Sequence, residues 1–98
     1  MFMSIRRYRV GHGKLDEVVQ MVDEGWTDQL RKESGFLSYH VVATEPNELV
    51  SMTACQDEET LEEVVQKSGE WVGTHLTAFN VKLEESRLGK VVSHLGDT

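Results

Sequence analysis

This chain lacks the features that would place it in a specialised class. It has a single cysteine, Cys55, so no internal disulfide can form and a reducing compartment is permitted. Cys55 reads as a small apolar filler at a strand end. No apolar run approaches the ~18 residues of a membrane helix. Met1–Met3 lead directly into Ser4 and the arginines at 6, 7 and 9, without the apolar core of ~7–15 residues that a secretory leader needs. A cytoplasmic protein is therefore expected. Positive charge is scarce as well: ten Lys and Arg against seventeen Asp and Glu give a net charge of −7. Nucleic acid and anionic membrane surfaces are disfavoured partners, because both need a basic surface. Proline occurs once, at Pro46, and no repeat, low-complexity tract or linker interrupts the 98 residues. One domain over 1–98 is the expectation.

Cofactor and metal signatures are missing too. Gly11-His12-Gly13 lacks the third glycine of a dinucleotide loop, since Asp16 holds that place. There is no HExxH, CxxC or EF-hand pattern, and His12, His40, His75 and His94 lie far apart in the chain. Neither a cofactor nor a metal is expected.

What is present is a clear alternation of element types. Phe2–Arg9 has strand character, with Phe2, Ser4, Arg6 and Tyr8 on one face and Met3, Ile5, Arg7 and Arg9 on the other. Leu15–Glu33 predicts a helix, in which Leu15, Val18, Val19, Val22, Trp26 and Leu30 share an arc. Acids in its first turn and bases in its last match the helix dipole, and Gly35 suits a left-handed cap. Phe36–Thr44 and Glu48–Cys55 predict a hairpin around Glu45-Pro46-Asn47. Asp57 is placed to cap a second helix, whose arc is Leu61, Val64, Val65, Val72, Leu76 and Phe79. Gly69 and Gly73 admit a break or kink there. Asn80–Arg87 reads as irregular and Lys90–Leu95 as a short last strand.

The order β-α-β-β-α-β is that of an α+β, ferredoxin-like sandwich with both helices on one sheet face. Its other face is left uncovered, which predicts a homodimer through that face. RNA-binding sheets of this order need aromatics on the third strand, and Leu49–Cys55 has none.

Two constellations stand out. Alternation sends Arg6 to one face and Arg7 and Arg9 to the other, and a buried arginine is costly unless paired. Either these residues meet acids across the dimer interface, or Arg6 enters a cavity and holds an anion. On the second helix, Ser68 and His75 fall inside the apolar arc, two turns apart, with Trp71 one turn before His75. A core histidine satisfied by a neighbour accounts for this. So does a pocket between helix and sheet lined by Ser68, Trp71 and His75, joined by His40 or Tyr39 according to register.

The run Ile5-Arg6-Arg7-Tyr8-Arg9-Val10 with Gly13, then Gly35-Phe36-Leu37-Ser38-Tyr39, Leu49-Val50-Ser51-Met52, Glu70-Trp71-Val72 with His75-Leu76, and Lys90-Val91-Val92 resembles the antibiotic biosynthesis monooxygenase family of dimeric α+β barrels. The resemblance implies a small-molecule-binding protein whose site lies between sheet and helices. It is compatible with a cofactor-independent monooxygenase acting on an aromatic or polyphenolic substrate. It is equally compatible with a non-catalytic homodimeric ligand-binding or interaction protein. In the oxygenase reading His75 is the base, Arg6 stabilises the anion, and Trp71 and Tyr8 form aromatic walls. The haem-degrading branch carries an Asn on the first strand, a Trp on the second helix and a His ten residues later. Arg6 and Val65 stand at the first two positions, and only His75 matches. No haem turnover is expected, and retention of the Soret band with haem and a reductant is the measurement that checks it.

Overall fold

Alternation along Phe2–Arg9 produces the first strand, β1, as expected. The computed structural model describes residues 1–96. The next element departs from a regular helix. Leu15–Met21 is α-helical, Val22–Trp26 winds as a π-helix, and Thr27–Leu30 returns to α-helix. This continuous helix, 15–30, is α1. Its winding follows from sequence spacing. The inward residues Val18, Val22, Trp26 and Leu30 recur every four positions and all are buried. In an α-helix a four-residue repeat drifts by ~40° per step, and the wider π turn offsets that drift. Just past the π segment, Thr27 Oγ1 donates to the Asp23 carbonyl at 2.6 Å.

Strands β2 (Phe36–Glu45) and β3 (Glu48–Cys55) form the predicted hairpin. Gly35, which precedes β2, takes a φ of +87°, a conformation that glycine adopts without strain. The second helix, α2 (Glu58–His75), begins where the Asp57 carboxylate accepts from Thr60 N–H at 2.8 Å. It runs unbroken through Gly69 and Gly73, so the break or kink admitted there does not occur. Phe79, expected on the helical arc, lies instead in a 3-10 turn, Thr77–Phe79.

The last strand, β4, is Lys82–Lys90, not Lys90–Leu95. It pairs with β1 along its length, whereas Val92 and Leu95 are 90% and 99% exposed. The misplacement has a physical cause. As an edge strand β4 carries Glu84, Glu85 and Arg87 and is mostly exposed, so it lacks the alternating apolar signal. A register shift between Arg7 and Tyr8 pairs them with Glu85 and Leu83, leaving Glu84 as the extra residue of a bulge.

The four strands form one antiparallel sheet in the order β2-β3-β1-β4. Both helices cover one face of this ferredoxin-like fold. Val18, Val22, Trp26 and Leu30 of α1 and Leu61, Val64 and Trp71 of α2 pack with Leu49 and Cys55 of β3. Cys55 is fully buried, as a filler should be. No helix among the described residues is long and apolar enough to cross a membrane.

The sheet's opposite face carries Met3, Ile5, Arg7 and Arg9 of β1, Val50 and Met52 of β3, and Val42 of β2. Arg7 and Arg9 find acids within their own chain. Arg7 Nη1 lies 3.1 Å from Glu48 Oε1, and Arg9 Nε lies 3.0 Å from Glu84 Oε1. Neighbouring strands of the same sheet thus supply acids to both arginines within one chain.

Gly25 of α1 lies against the indole of Trp71 on α2. A Cβ there would lie 2.8 Å from Trp71 Cζ2, too close to fit without movement. Gly25→Ala is expected to cost about 1–3 kcal/mol through overpacking. Gly69→Ala, with nothing within 4 Å of the added carbon, should gain ~0.5–1 kcal/mol from helix propensity. Urea denaturation of the two variants measures both signs.

Candidate functional site

Between the helices and the covered sheet face lies a cavity of about 30 Å³. Alternation decides which strand residues reach it. Tyr8 enters from β1, Tyr39 and Val41 from β2, and Leu49 and Ser51 from β3. The helices contribute Val18, Val22 and Trp26 from α1 and Ser68, Trp71 and Val72 from α2. The volume is enough for about two water molecules. An aromatic ligand fits only if side chains of the lining move.

The walls are aromatic and the polar groups few. Trp26 and Trp71 face each other with ring centroids 6.3 Å apart and planes tilted by 43°. Trp26 Nε1 is buried and has no hydrogen-bond partner among the described residues. Burial raises the Tyr8 phenol above the ordinary tyrosine range, against the opposing pull of the Arg6 charge and a Ser68 hydrogen bond. Tyr39 is pushed much higher, chiefly by burial and further by Tyr8 and Asp23, while Arg6 pulls it down. Both phenols are therefore neutral hydrogen-bond donors at neutral pH.

Arg6 stands beside this cavity. Its guanidinium carbon is 5.4 Å from the centre of the Tyr8 ring, within cation–π range. Its Nη1 reaches the Val65 carbonyl at 3.5 Å, the outer limit of a hydrogen bond. Its Nε is buried without a partner, and no carboxylate among the described residues forms an ion pair with it. A positive charge with spare donors thus sits next to two phenols.

Of the residues singled out from sequence, Tyr8, Ser68 and Trp71 line the cavity and Arg6 adjoins it. His75 and His40 do not line it. His75 is exposed at the last position of α2; its Nδ1 is 3.0 Å from the Trp71 carbonyl and its ring stacks on the Trp71 indole at 4.7 Å. The helical angle had put His75 on the inward arc. However, a helical side chain leans back over the preceding turn, where the larger indole of Trp71 already takes the inward space. His40 is exposed because an irregularity between Phe36 and Ser38 sets the register. That register turns Tyr39 inward and His40 to the uncovered face. Trp26 was legible only as part of the apolar arc of α1. The signal that it forms a wall is its indole N–H, which needs a partner when buried.

The lining holds no carboxylate and no imidazole among the described residues. Nor do any three His, Cys, Asp or Glu side chains among them converge as metal ligands. What the arrangement offers is aromatic contact, phenol and hydroxyl donors, and one adjacent cation. It suits a flat molecule carrying oxygen atoms that accept hydrogen bonds or bear negative charge.

The chain's two tyrosines are both in this site, so alkaline titration reports on it directly. An unfolded tyrosine ionises near pH ~10. Above that pH the unfolded chain loses phenolic protons that the folded chain keeps, so stability must fall as pH rises. Stability from this source is fully present below pH ~10. Tyrosinate absorbance should be absent from the native protein at pH ~10, and Tyr39→Phe should flatten the alkaline loss of stability seen in urea titrations.

Comparison with known proteins bears on the fold. Among curated proteins, none matches the chain. Solved structures do match over nearly the full length. HapK from Hahella chejuensis superimposes with a TM-score of 0.75 at 12% identity, covering 100% of both chains. SnoaB from Streptomyces nogalater, described as a cofactor-independent oxygenase, gives 0.69 at 15% identity, covering 98% of this chain and 97% of that one. A dimeric ferredoxin-like protein from an uncultured marine organism gives 0.74 at 17% identity, covering 97% and 98%. These identities establish a shared fold. The model of the antibiotic biosynthesis monooxygenase family matches residues 1–71, which include β1, β2, β3 and α2 as far as Trp71. The chain belongs to the antibiotic biosynthesis monooxygenase family.

Proposed function

We propose that this protein binds a small aromatic molecule, bearing oxygen and able to carry negative charge, in the cavity between sheet and helices, and oxidises it as a cofactor-independent monooxygenase. The observation that carries this reading is the unpaired Arg6 guanidinium beside Tyr8, at a cavity walled by both tryptophans. Such a site favours an anion over its neutral parent, because a cation in a poorly solvated setting acts strongly on nearby charge. SnoaB, similar in fold, is described as a cofactor-independent oxygenase, which supports the chemistry.

The reaction class follows from that preference. A hydroxylated aromatic with an activated CH₂ loses a proton to give an extended enolate. Arg6 and the Tyr8 and Tyr39 phenols stabilise its oxygen. The enolate carbon reduces O₂ and forms a C–O bond, and the resulting hydroperoxide loses water to leave a C=O. The balance is CH₂ plus O₂ giving C=O plus H₂O. His75 is too exposed to serve as the internal base, and both phenols are too weakly acidic to act as phenolates near neutral pH. The proton therefore leaves to water, and turnover should track ionisation of the substrate. A second reading, a binding protein without turnover, is favoured by the lack of a carboxylate or imidazole on the lining among the described residues.

Anthrone, with its activated CH₂, is a suitable probe. Both tryptophans line the cavity, so binding should quench intrinsic fluorescence. Arg6→Gln should weaken binding of the anionic form about tenfold, ~1.4 kcal/mol, as expected for loss of a charged hydrogen-bond donor. Oxygen uptake with anthraquinone formation supports the oxygenase. Quenching without oxygen uptake supports the binding protein, and no quenching removes both readings.

The uncovered sheet face is proposed as a homodimer interface. Ile5 and Val42 are 44% and 41% exposed there, an arrangement a second copy would cover. A similar fold is described as dimeric. Sedimentation should give a dimer, shifted toward monomer by Ile5→Glu; a stable monomer at micromolar concentration would count against the pairing.

A further inference from the structure

We infer that Tyr39 is a movable partition between the internal cavity and a groove at the β2 edge, and that ligand enters and is partly seated through this groove. The inference rests on the proposed binding reading and adds the route and the residue that controls it. Its starting point is a mismatch of size. The cavity measures about 30 Å³, whereas sites for small organic ligands run to ~300–1,000 Å³. A second hollow of about 300 Å³ lies between the last turn of α1 and β2. Among the described residues, Tyr39 alone lines both. Along α1, Trp26 borders the cavity and the next residue, Thr27, borders the groove. The two spaces therefore meet at one side chain, and displacing it would bring the joint volume into the range a polycyclic aromatic needs.

Three further features converge here. β2 is an edge strand, so no further strand among the described residues closes the groove from outside. The irregularity between Phe36 and Ser38 breaks the ladder beside it, as bulges often do near functional sites. Ser38 is only 8% exposed, and its Oγ is buried with no hydrogen-bond partner among the described residues. Ser38 pairs with Ala54, so its hydroxyl shares the uncovered face with His40 at the outer rim of the groove, where it would hydrogen-bond an oxygen of the ligand. Its partner is thus an aromatic whose rings pass Tyr39 into the cavity and whose hydroxyl or carbonyl stays in the groove. Thr27 and Arg31 border the groove from the helix layer, whereas Ser38 and His40 border it at the rim of the sheet face assigned to dimer pairing.

Stopped-flow quenching with anthrone tests the route. Tyr39→Ala removes the partition and should raise the association rate constant at least tenfold. Tyr39→Phe keeps the wall and should retain the wild-type association rate while dissociating faster. Thr27→Phe narrows the groove from a half-buried position outside the cavity lining, so it should lower the association rate at least tenfold. It also keeps the test open should Tyr39→Ala fail to fold. Unchanged association rates in a folded Thr27→Phe variant would overturn the partition and leave the binding site standing. Absence of any quenching by the wild type would overturn the binding reading itself, and this inference with it.

Discussion

The indole of Trp71 fixes the spacing of the helical layer. It lies against Gly25 of α1, where even one added carbon would be too close, and it faces Trp26 across the cavity. A large residue on one helix and a bare backbone on the other let the helices approach around an aromatic wedge. The π turn of α1 serves the same arrangement. Without it, Val18, Val22, Trp26 and Leu30 would spiral away from the sheet, and Trp26 could not share a wall with Trp71. The wedge also explains the exposure of His75. Once the indole occupies the inward space, a ring one turn later can only stack upon it.

The arginines of β1 show how strand alternation divides one cluster into two chemistries. Arg7 and Arg9 emerge on the open face, where Glu48 and Glu84 of the neighbouring strands hold them. The Glu48 carboxyl is drawn below the usual range by hydrogen bonds from Thr44 and Arg7. Arg6, just before them in sequence, turns under the helices and, among the described residues, finds only a ring face and a distant carbonyl. The same residue type is thus structural on one face and electrostatically unsatisfied on the other. A charge left in that condition reduces stability unless a ligand or water compensates it, which is the reason to regard Arg6 as functional.

Local signals revealed most of the fold but only part of the site. The period-2 runs of β1, β2 and β3, the Asp57 cap and the Gly35 turn each have a nearby physical cause, and each was legible. The edge strand β4 was not, since Glu84, Glu85 and Arg87 conceal a strand that one neighbour alone holds. Val91–Leu95 has the composition of a strand but no ladder to join among the described residues, where only Val91 N–H bonds back, to the Met1 carbonyl. Helical angle correctly turned Ser68 and Trp71 inward. It misled for His75 because angle ignores side-chain size and the lean of each residue over the turn before it. The choice between Tyr39 and His40 depended on one bulge, a backbone feature with no composition signal of its own.

Under the proposed function, the site's electrostatics and its small volume suit one kind of ligand chemistry. Two phenols kept neutral by burial can donate but not accept a proton from substrate near neutral pH, and the nearby guanidinium can only attract negative charge. Such a site does little to create an anion, but it stabilises one that the ligand forms readily by itself. Acidic phenols and enols are molecules of that kind, and their flat rings match walls made of two indoles. Their extended anions are also electron-rich enough to react with O₂ directly. Preference for the anion, aromatic packing and a small, mostly apolar cavity are therefore linked requirements. Losing the unpaired charge at Arg6 would leave a hydrophobic slot that binds the neutral molecule and its anion alike, with no means of favouring the reactive form.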